Sequence, residues 1–378
     1  MTTGYVPCTY TNNLDRMLAR GARPGQGGHL EGTAAEISPA MVRLEASCHA
    51  CLVAEIANTL GLEAARPLMR EIVRRLGRYR GNEIRREVEG RGLPLDMTHL
   101  LDYWDYTSDE AVEMVESARE PHYYAHEVPG CGFWDQLERL CPQPLAIIMC
   151  EEVHVAVAKE FNPTMDVWYP ALLSRGQDRC IFRWEMPYEA AERAAEQARR
   201  VSEAAKKAGK ELEGERGPQE PDPARSYRAM ARLLVVFYHH AVDQLLRTVG
   251  EEQTEDMVRR AMGKWGAWRG EEMREDHERR GWPLNLETFI TYFDEPAAGD
   301  AWTAENVTLT ATEHTKDITS SVYGEWFGRL GTGRFAIPMF EEALPAQAQA
   351  YNPEIHLSIP LLMERGDALT RLHYIVGE

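Results

Sequence analysis

Several side chains in the first half of the chain are of the kinds that act as nucleophiles. Cys131 stands in the segment HEVPGCGFWDQL, where a strand pattern gives way to a helical pattern. A thiol at a helix N-terminus faces unpaired backbone amides, which lower its pKa. We therefore interpret Cys131 as a candidate nucleophile, with a buried and inert cysteine as the alternative.

A second candidate group lies in the segment MCEEVHVAVAKEFNP. If this segment is helical, Glu151 and His154 lie three residues apart and Cys150 and His154 four apart, so each pair shares one face. Glu151 would then orient the imidazole of His154 as a base, or Cys150 and His154 would bind a metal ion. A lone Glu-x-x-His is a weak signal, because a di-iron carboxylate site needs two such motifs.

Three further residues are candidates for binding a substrate. Cys180 follows the predicted hairpin glycine Gly176, and His126 lies on a predicted strand. Arg80 has the planar donor fork that clamps a carboxylate, but the second half repeats it as Arg269. A residue shared by two copies more often holds the fold than performs the chemistry.

A metal centre is the alternative reading of the same thiols and imidazole. Zinc or iron would be held by Cys131, Cys150, His154 and Cys180. Their spacing does not distinguish this metalloenzyme from a cysteine nucleophile, because no close pair of ligands recurs. The CHAC segment, Cys48 to Cys51, lies in an apolar helical pattern and is predicted to be core.

The elements that must position these residues occur twice along the chain. At a constant offset of 189, residues 80–106 and 269–295 share 11 of 27 positions, where chance gives roughly two. All seven cysteines lie between Cys8 and Cys180, so the second copy has none. This asymmetry predicts an active first copy and a degenerate second copy.

The duplication divides the 378 residues into four parts. We predict a loose N-terminal arm over residues 1–40, a first repeat over 41–187, a linker over 188–225 and a second repeat over 226–378. The linker combines a solvated Ala-, Glu- and Lys-rich helix with a Pro- and Gly-rich joint. The arm is of a kind that packs on the body or swaps onto a partner, so a homodimer is one expectation.

Each repeat changes from a helical to a strand pattern along its length. Asp96 and Asn285 are predicted N-caps of matching short helices, and Gly176 and Gly366 mark matching hairpins. We therefore predict an α+β fold: two tandem homologous domains, each with N-terminal helices followed by an antiparallel sheet with short helices on one face.

Composition narrows the classes of function. The formal charge of −18 argues against nucleic acid or an anionic membrane as partner, because binding phosphates needs a basic surface. No apolar run approaches the roughly 18 residues of a membrane span, and the N-terminus lacks the pattern of a signal peptide. An odd cysteine count in a long chain predicts reduced thiols and a cytoplasmic protein.

The order of motifs in the first repeat resembles the L-2-amino-thiazoline-4-carboxylic acid hydrolase family. The resemblance spans residues 48–186 and rests on Cys131 before a short helix, the segments PLAIIMCEE and FNP, and the hairpin that closes in GQDRCIF. It implies hydrolysis of a small amino-acid-derived ring at a C=N carbon. A metalloenzyme and a non-catalytic small-molecule-binding protein remain the alternatives.

Overall fold

The computed structural model describes residues 5–105, 111–215 and 222–377. The α-helices in these ranges are α1 (Tyr10–Arg20), α2 (Ala34–Leu60), α3 (Leu62–Gly90), α4 (Met97–Asp102), α5 (Gly132–Leu140), α6 (Gln143–Phe161), α7 (Tyr188–Lys207), α8 (Pro223–Val249), α9 (Glu251–Arg279), α10 (Leu286–Thr291), α11 (Val322–Leu330), α12 (Pro338–Glu341) and α13 (Ala343–Tyr351). The strands are β1 (Val112–Glu120), β2 (Tyr123–Cys131), β3 (Asp166–Ala171), β4 (Cys180–Glu185), β5 (Trp302–Leu309), β6 (Glu313–Ser321), β7 (Ile355–Leu361) and β8 (Thr370–Val376).

Two separate four-stranded antiparallel sheets confirm the predicted α+β class. The first sheet has the strand order β1-β2-β4-β3 and the second has the order β5-β6-β8-β7. In each half a pair of long helices precedes the sheet, and a short helix, α5 or α11, follows the second strand of that sheet. The two halves thus have the same order of elements, and their common origin stays a prediction from the sequence.

Local signals in the sequence form the structures that their chemistry favours. Asp96 and Asn285 accept a hydrogen bond from the backbone N–H three residues further on, as N-caps do. Gly176 and Gly366 adopt φ values of 77° and 99°, which residues with a Cβ rarely adopt. The CHAC segment is confirmed as core, since it lies inside α2 with both cysteines buried.

The linker begins with a solvated helix, as its composition predicts. Helix α7 exposes most of its side chains and carries ion pairs between side chains three and four residues apart. The predicted Pro- and Gly-rich joint falls largely on residues 216–221, outside the described residues. No helix in the described ranges is long and apolar enough to cross a bilayer.

The described part of the predicted N-terminal arm is not loose but packs on the body, which is one of the two expectations for it. Residues 10–20 form α1, which buries Leu14 and Met17 against the second half. The hydroxyl of Tyr10 donates to the carbonyl of Tyr292 and lies 2.7 Å from Nε2 of His277. Apolar burial and these long-range hydrogen bonds fix the arm to its own chain.

The first long helix of each half crosses to the core of the other half. In the second half, Asp294 is fully buried and binds two guanidinium groups. Arg269 of the same half makes a two-bond fork to its carboxylate, and Arg43 reaches it from α2 of the first half at 2.6 Å. The halves therefore share a buried ion cluster.

The first half contains the matching cluster. Asp105 accepts a fork from Arg80 and a further hydrogen bond at 3.1 Å from Arg232, which belongs to α8 of the second half. Although burial alone would raise the pKa of Asp105, the two guanidinium groups hold this pKa below its usual range. Each half thus depends on an arginine from the other.

Candidate active site

A cavity of about 670 Å³ lies in the first half, between the sheet and helices α3 and α6. Helix α2 closes it on one side, and Arg225 and Ser226 of α8 contribute to its wall from the second half. Its lining is mainly apolar and aromatic, with a few convergent polar groups, which is the usual make-up of a small-molecule site. The cavity wall includes six residues that the sequence singled out, namely Arg80, His126, Cys131, Cys150, His154 and Cys180.

Strand β2 brings His126 and Cys131 to this cavity. His126 pairs in register with Phe182 of β4, and the two rings stack with their centroids 4.5 Å apart. Nδ1 of His126 has no hydrogen-bond partner within the described part of the chain. Burial, aided by the positive charge of Arg183, lowers the pKa of His126 to about 4. This imidazole is therefore neutral at pH 7.

Cys131 ends β2 and is the N-cap of α5, as predicted. It stands between two glycines because the N-terminal arm packs there. A Cβ on Gly130 would come within 2.0 Å of the ring of Tyr5, and one on Gly132 within 2.2 Å of Sγ of Cys8. The arm thus supports the backbone that presents the thiol to the cavity.

The predicted lowering of the Cys131 pKa is wrong in this structure. Burial raises the pKa of this thiol to about 12 and outweighs the backbone amides of Phe133 and Trp134, which act in the opposite direction. The sequence revealed the helix N-terminus but not the apolar surroundings. Cys131 is therefore a neutral thiol at pH 7, and its attack on a substrate requires a proton acceptor.

Helix α6 places Cys150 and His154 on the cavity wall, one helical turn apart. The ring of His154 stacks on Trp104 with a centroid distance of 6.0 Å and meets the edge of Phe182 at 5.2 Å. Its Nδ1 has no partner among the described residues. Burial first, and the charge of Arg80 second, lower the pKa of His154 to about 3.

Glu151 does not orient His154, which corrects the prediction from their spacing. Its carboxylate binds the guanidinium of Arg175 at 2.9 Å on the outer side of α6, away from the cavity. The equivalent pair, Glu341 and Arg365, also forms an ion pair in the second half. The contact recurs where the cysteines and His154 are missing, so it fastens the hairpin to its helix independently of those residues.

Cys180 and Arg80 also lie in the wall but are already engaged. Sγ of Cys180 accepts a hydrogen bond from the backbone N–H of Leu173 at 3.3 Å. The fork of Arg80 binds Asp105, as Arg269 binds Asp294 in the second half. This geometry gives Arg80 a structural partner where the sequence suggested a clamp for a substrate carboxylate.

The structure does not assemble the predicted metal site. Within residues 5–105, 111–215 and 222–377, no three His, Cys, Asp or Glu side chains are grouped so that they could hold one metal ion. The proposed ligands Cys131, Cys150, His154 and Cys180 share the cavity wall. Zinc needs ligands arranged as a tetrahedron around one point, and sharing a cavity wall does not by itself provide that arrangement.

Sequence reasoning missed two polar groups of this cavity. Glu45 of α2 is 3% exposed, and its Oε2 has no hydrogen-bond partner in the described ranges. Trp184 of β4 likewise presents an unpartnered Nε1. Burial raises the pKa of Glu45 to about 8, although the positive charge of Arg80 opposes this shift. A comparison of the two repeats could have identified Glu45, because Leu234 takes its place in the second copy.

Four side chains of the cavity wall have buried polar atoms without a hydrogen-bond partner in the described residues. Buried donors and acceptors are normally paired, and leaving one unpaired costs about 1–3 kcal/mol. Glu45, His126, His154 and Trp184 all bear this cost around one enclosed space. A bound molecule with matching polar groups would pair with them, which makes this cavity the candidate site.

Part of the equivalent space in the second half is occupied by the chain itself, and a pocket of about 560 Å³ remains beside Ser321, the counterpart of Cys131. Lys316 replaces His126 and contacts Nε2 of His29 from the N-terminal arm at 2.9 Å. His29 also stacks on Phe293, and Leu344 replaces His154. The second half thus lacks the thiol and the imidazoles of the cavity, and a degenerate second copy stays a prediction from the sequence.

The family comparison matches the first half of this α+β chain, which contains the cavity. Residues 41–184 match the family described as L-2-amino-thiazoline-4-carboxylic acid hydrolase. This part of the chain is therefore similar to that family, as the motif order predicted, and it contains all the cavity residues that the sequence singled out. No curated protein and no solved structure matches the chain.

Proposed function

We propose that the cavity is the active site of a hydrolase that opens a small amino-acid-derived ring at a C=N carbon. The observation that carries this proposal is that the thiol of Cys131, at the N-terminus of α5, shares one cavity wall with two neutral imidazoles, those of His126 and His154. The family that residues 41–184 match is named for the hydrolysis of a thiazoline. A cyclic amidine or thiazoline carboxylate is the substrate class that fits both observations.

The thiol of Cys131 would act as the nucleophile. Its sulfur forms a bond to the C=N carbon, the π electron pair moves to nitrogen, and that nitrogen takes up a proton. The thiol proton passes to a neutral imidazole, for which His154 and His126 both have an unpartnered Nδ1. Their lowered pKa values leave both imidazoles unprotonated at pH 7.

Ring opening and hydrolysis would follow from the same adduct. The bond from the attacked carbon to a ring heteroatom breaks, and the imidazolium returns its proton to the leaving atom. Water then attacks the carbon bound to Cys131, and the thiol leaves with the proton it needs. The net change is the addition of one water molecule, with no oxidant or reductant.

The second half would serve as a wall of this site. Arg225 and Ser226 at the start of α8 line the cavity, and Arg232 further along α8 holds Asp105 in place. Domain interfaces are common locations for small-molecule sites. We place the reaction in specialised metabolism, because the tandem architecture and charged linker depart from a single-domain pattern.

The test is hydrolysis of 2-amino-thiazoline-4-carboxylate by the wild type and by Cys131→Ala. Mass spectrometry follows a product that is one water heavier than the substrate. We expect the variant to lose about 10³-fold or more of kcat, as removal of a nucleophile does in other hydrolases. Ser321→Ala, at the equivalent position of the second half, is the matched control and should keep wild-type turnover.

Other outcomes separate this proposal from its alternatives. Unchanged turnover in Cys131→Ala contradicts the nucleophile. About one zinc or iron per chain that is lost in this variant would favour metal-bound water as the nucleophile. A stable complex with the thiazoline and no turnover by the wild type would favour a non-catalytic binding protein.

A further inference from the structure

We propose that Glu45 is the general acid that protonates the C=N nitrogen of the substrate in this cavity. This inference rests on the proposed function, since it supplies the proton that the ring nitrogen takes up when Cys131 attacks. It assigns a catalytic role to a residue of α2, on a different element from the thiol and the imidazoles.

Glu45 lies where its carboxyl group can contact a ligand in the cavity. Its side chain is buried and belongs to the cavity wall, and its Oε2 has no hydrogen-bond partner in the described part of the chain. A carboxyl group without a partner in an apolar site is costly and weakens the fold. The second half has Leu234 at this position of α8, so the fold does not need a carboxyl group there.

The charged residues near Glu45 favour proton transfer from its carboxyl group to a basic substrate. Arg80 from α3, Arg232 from α8 and Asp105 form the charged cluster beside it. This cluster carries one net positive charge, which stabilises the carboxylate that remains after proton transfer. Proton transfer from the Glu45 carboxyl to a ring nitrogen leaves the total charge of the cavity unchanged, so it requires no counterion.

The acidity of Glu45 also matches the task. Its pKa of about 8 keeps the carboxyl group protonated at pH 7, near the value at which a general acid is most effective. His126 and His154, with pKa values lowered to about 4 and about 3, hold no proton to give at that pH. Among these three residues, Glu45 is therefore the proton source.

The chemical consequence is activation of the carbon that Cys131 attacks. A protonated C=N group is a better electrophile than a neutral one, because the π electron pair then moves to a cationic nitrogen. The proton leaves Oε of Glu45 and binds the ring nitrogen as the bond from sulfur to carbon forms. The resulting carboxylate and the N–H group form a charge-assisted hydrogen bond.

The experiment compares the wild type, Glu45→Gln and Glu55→Gln, a matched control at another buried glutamate of α2 that lies outside the cavity lining. Each is assayed with 2-amino-thiazoline-4-carboxylate and with its N3-methyl thiazolinium analogue, whose alkylated ring nitrogen carries the positive charge without accepting a proton. We expect Glu45→Gln to lose about 10²-fold or more of kcat on the neutral ring and to recover most of it on the cation. Glu55→Gln should match the wild type on both substrates.

The pH profile gives a second readout that a structural role would not produce. Wild-type kcat/KM for the neutral ring should fall as pH rises through about 8, because Glu45 then loses its proton. The profile for the cationic analogue should lack this fall. Thermal unfolding of Glu45→Gln and Glu45→Leu, which introduces the residue of the second half, verifies that the variants fold.

The outcomes separate this inference from the proposed function. Wild-type turnover that Glu45→Gln leaves intact overturns the role of Glu45 and leaves the hydrolase standing. An equal loss on the neutral and cationic substrates also overturns it, since the residue then acts on structure. Absence of wild-type turnover on both substrates overturns the proposed function, and this inference with it.

Discussion

At the scale of single residues, burial determines the protonation state of the cavity groups. Cys131 and Glu45 hold their protons at pH 7, whereas His126 and His154 have none to give. Each group is uncharged because an apolar wall penalises its charged form. The site therefore begins a reaction with a neutral acid and neutral bases, and charge develops only when substrate is bound.

The lowered pKa of His154 predicts a loss of stability in acid. The folded state has a pKa of about 3, against an ordinary value of 6.5, so the unfolded chain binds the proton first as pH falls. This contribution to stability is present above pH 6.5 and is lost as pH falls toward about 3, by up to roughly 1 kcal/mol per pH unit. His154→Phe should show a shallower loss of stability than the wild type in urea unfolding between pH 6.5 and 4.

A control for this measurement is His122→Phe, at a partly exposed position in the turn between β1 and β2. We expect its stability to follow the wild-type pH dependence, since its side chain is in contact with water. If His154→Phe and the wild type lose stability in parallel over this pH range, burial of His154 does not govern the acid response.

At the scale of elements, two glycines in α3 determine where α6 holds its part of the site. A Cβ on Gly77 would come within 2.6 Å of the carbonyl oxygen of Val153, and one on Gly81 within 2.5 Å of that of Val157. Both contacts are with backbone atoms, which cannot rotate away. Glycine at these positions lets the helices approach closely, and the approach fixes Cys150 and His154 in the cavity wall.

Gly77→Ala should therefore reduce both stability and activity. We expect a loss of about 1–3 kcal/mol in unfolding free energy, because the added methyl group overpacks the contact, together with a lower kcat/KM as α6 moves. Gly266→Ala makes the equivalent change between α9 and α13, where the Cβ would lie 1.9 Å from the carbonyl oxygen of Ala343. Urea unfolding and thiazoline turnover are measured on both variants.

Comparing Gly77→Ala with Gly266→Ala separates the effect of moving α6 from the effect of a general loss of stability. Gly266→Ala should lose comparable stability and keep more of its turnover, since its helix contributes nothing to the cavity wall. Gly263→Ala is a second control, because no atom lies within 4 Å of the added Cβ. It should stabilise the protein by about 0.5–1 kcal/mol, as alanine is the better helix former. Equal loss of activity in Gly77→Ala and Gly266→Ala would refute this account.

At the scale of the whole molecule, the halves are joined by two ion clusters that exchange arginines. Arg43 of the first half binds Asp294 of the second, and Arg232 of the second half binds Asp105 of the first. Although burial alone would raise it, the pKa of Asp294 is held well below its usual value by Arg269 and Arg43. Neither core is complete without the other half, so the halves are expected to unfold together.

Asp294→Ala tests this coupling far from the cavity. Removing the carboxylate leaves Arg43 with Glu272 and Arg269 with Glu295 as their remaining carboxylate partners, and breaking this buried cluster should cost about 3–5 kcal/mol. The measurement is calorimetric unfolding, and a single transition at a lower temperature is expected. Arg86→Ala removes an exposed pair with Glu83 and should cost less than about 1 kcal/mol. Two separate transitions in Asp294→Ala would mean that the halves are not coupled through this cluster.

The sequence by itself determined the features that depend on near neighbours. Capping residues, hairpin glycines and apolar periodicity identified the α+β fold, and the junction after β2 identified the place of Cys131. These features were predictable because backbone conformation responds to residues within a few positions. The motif order also identified the family that residues 41–184 match.

Only the tertiary structure decided which groups share an apolar enclosure. It turned Glu151 outward to Arg175, engaged Arg80 with Asp105, and raised the pKa of Cys131. It also brought Glu45 into the cavity wall and docked the N-terminal arm on the second half. These outcomes depend on the exclusion of water and on contacts between distant segments. Local sequence patterns predict neither of them.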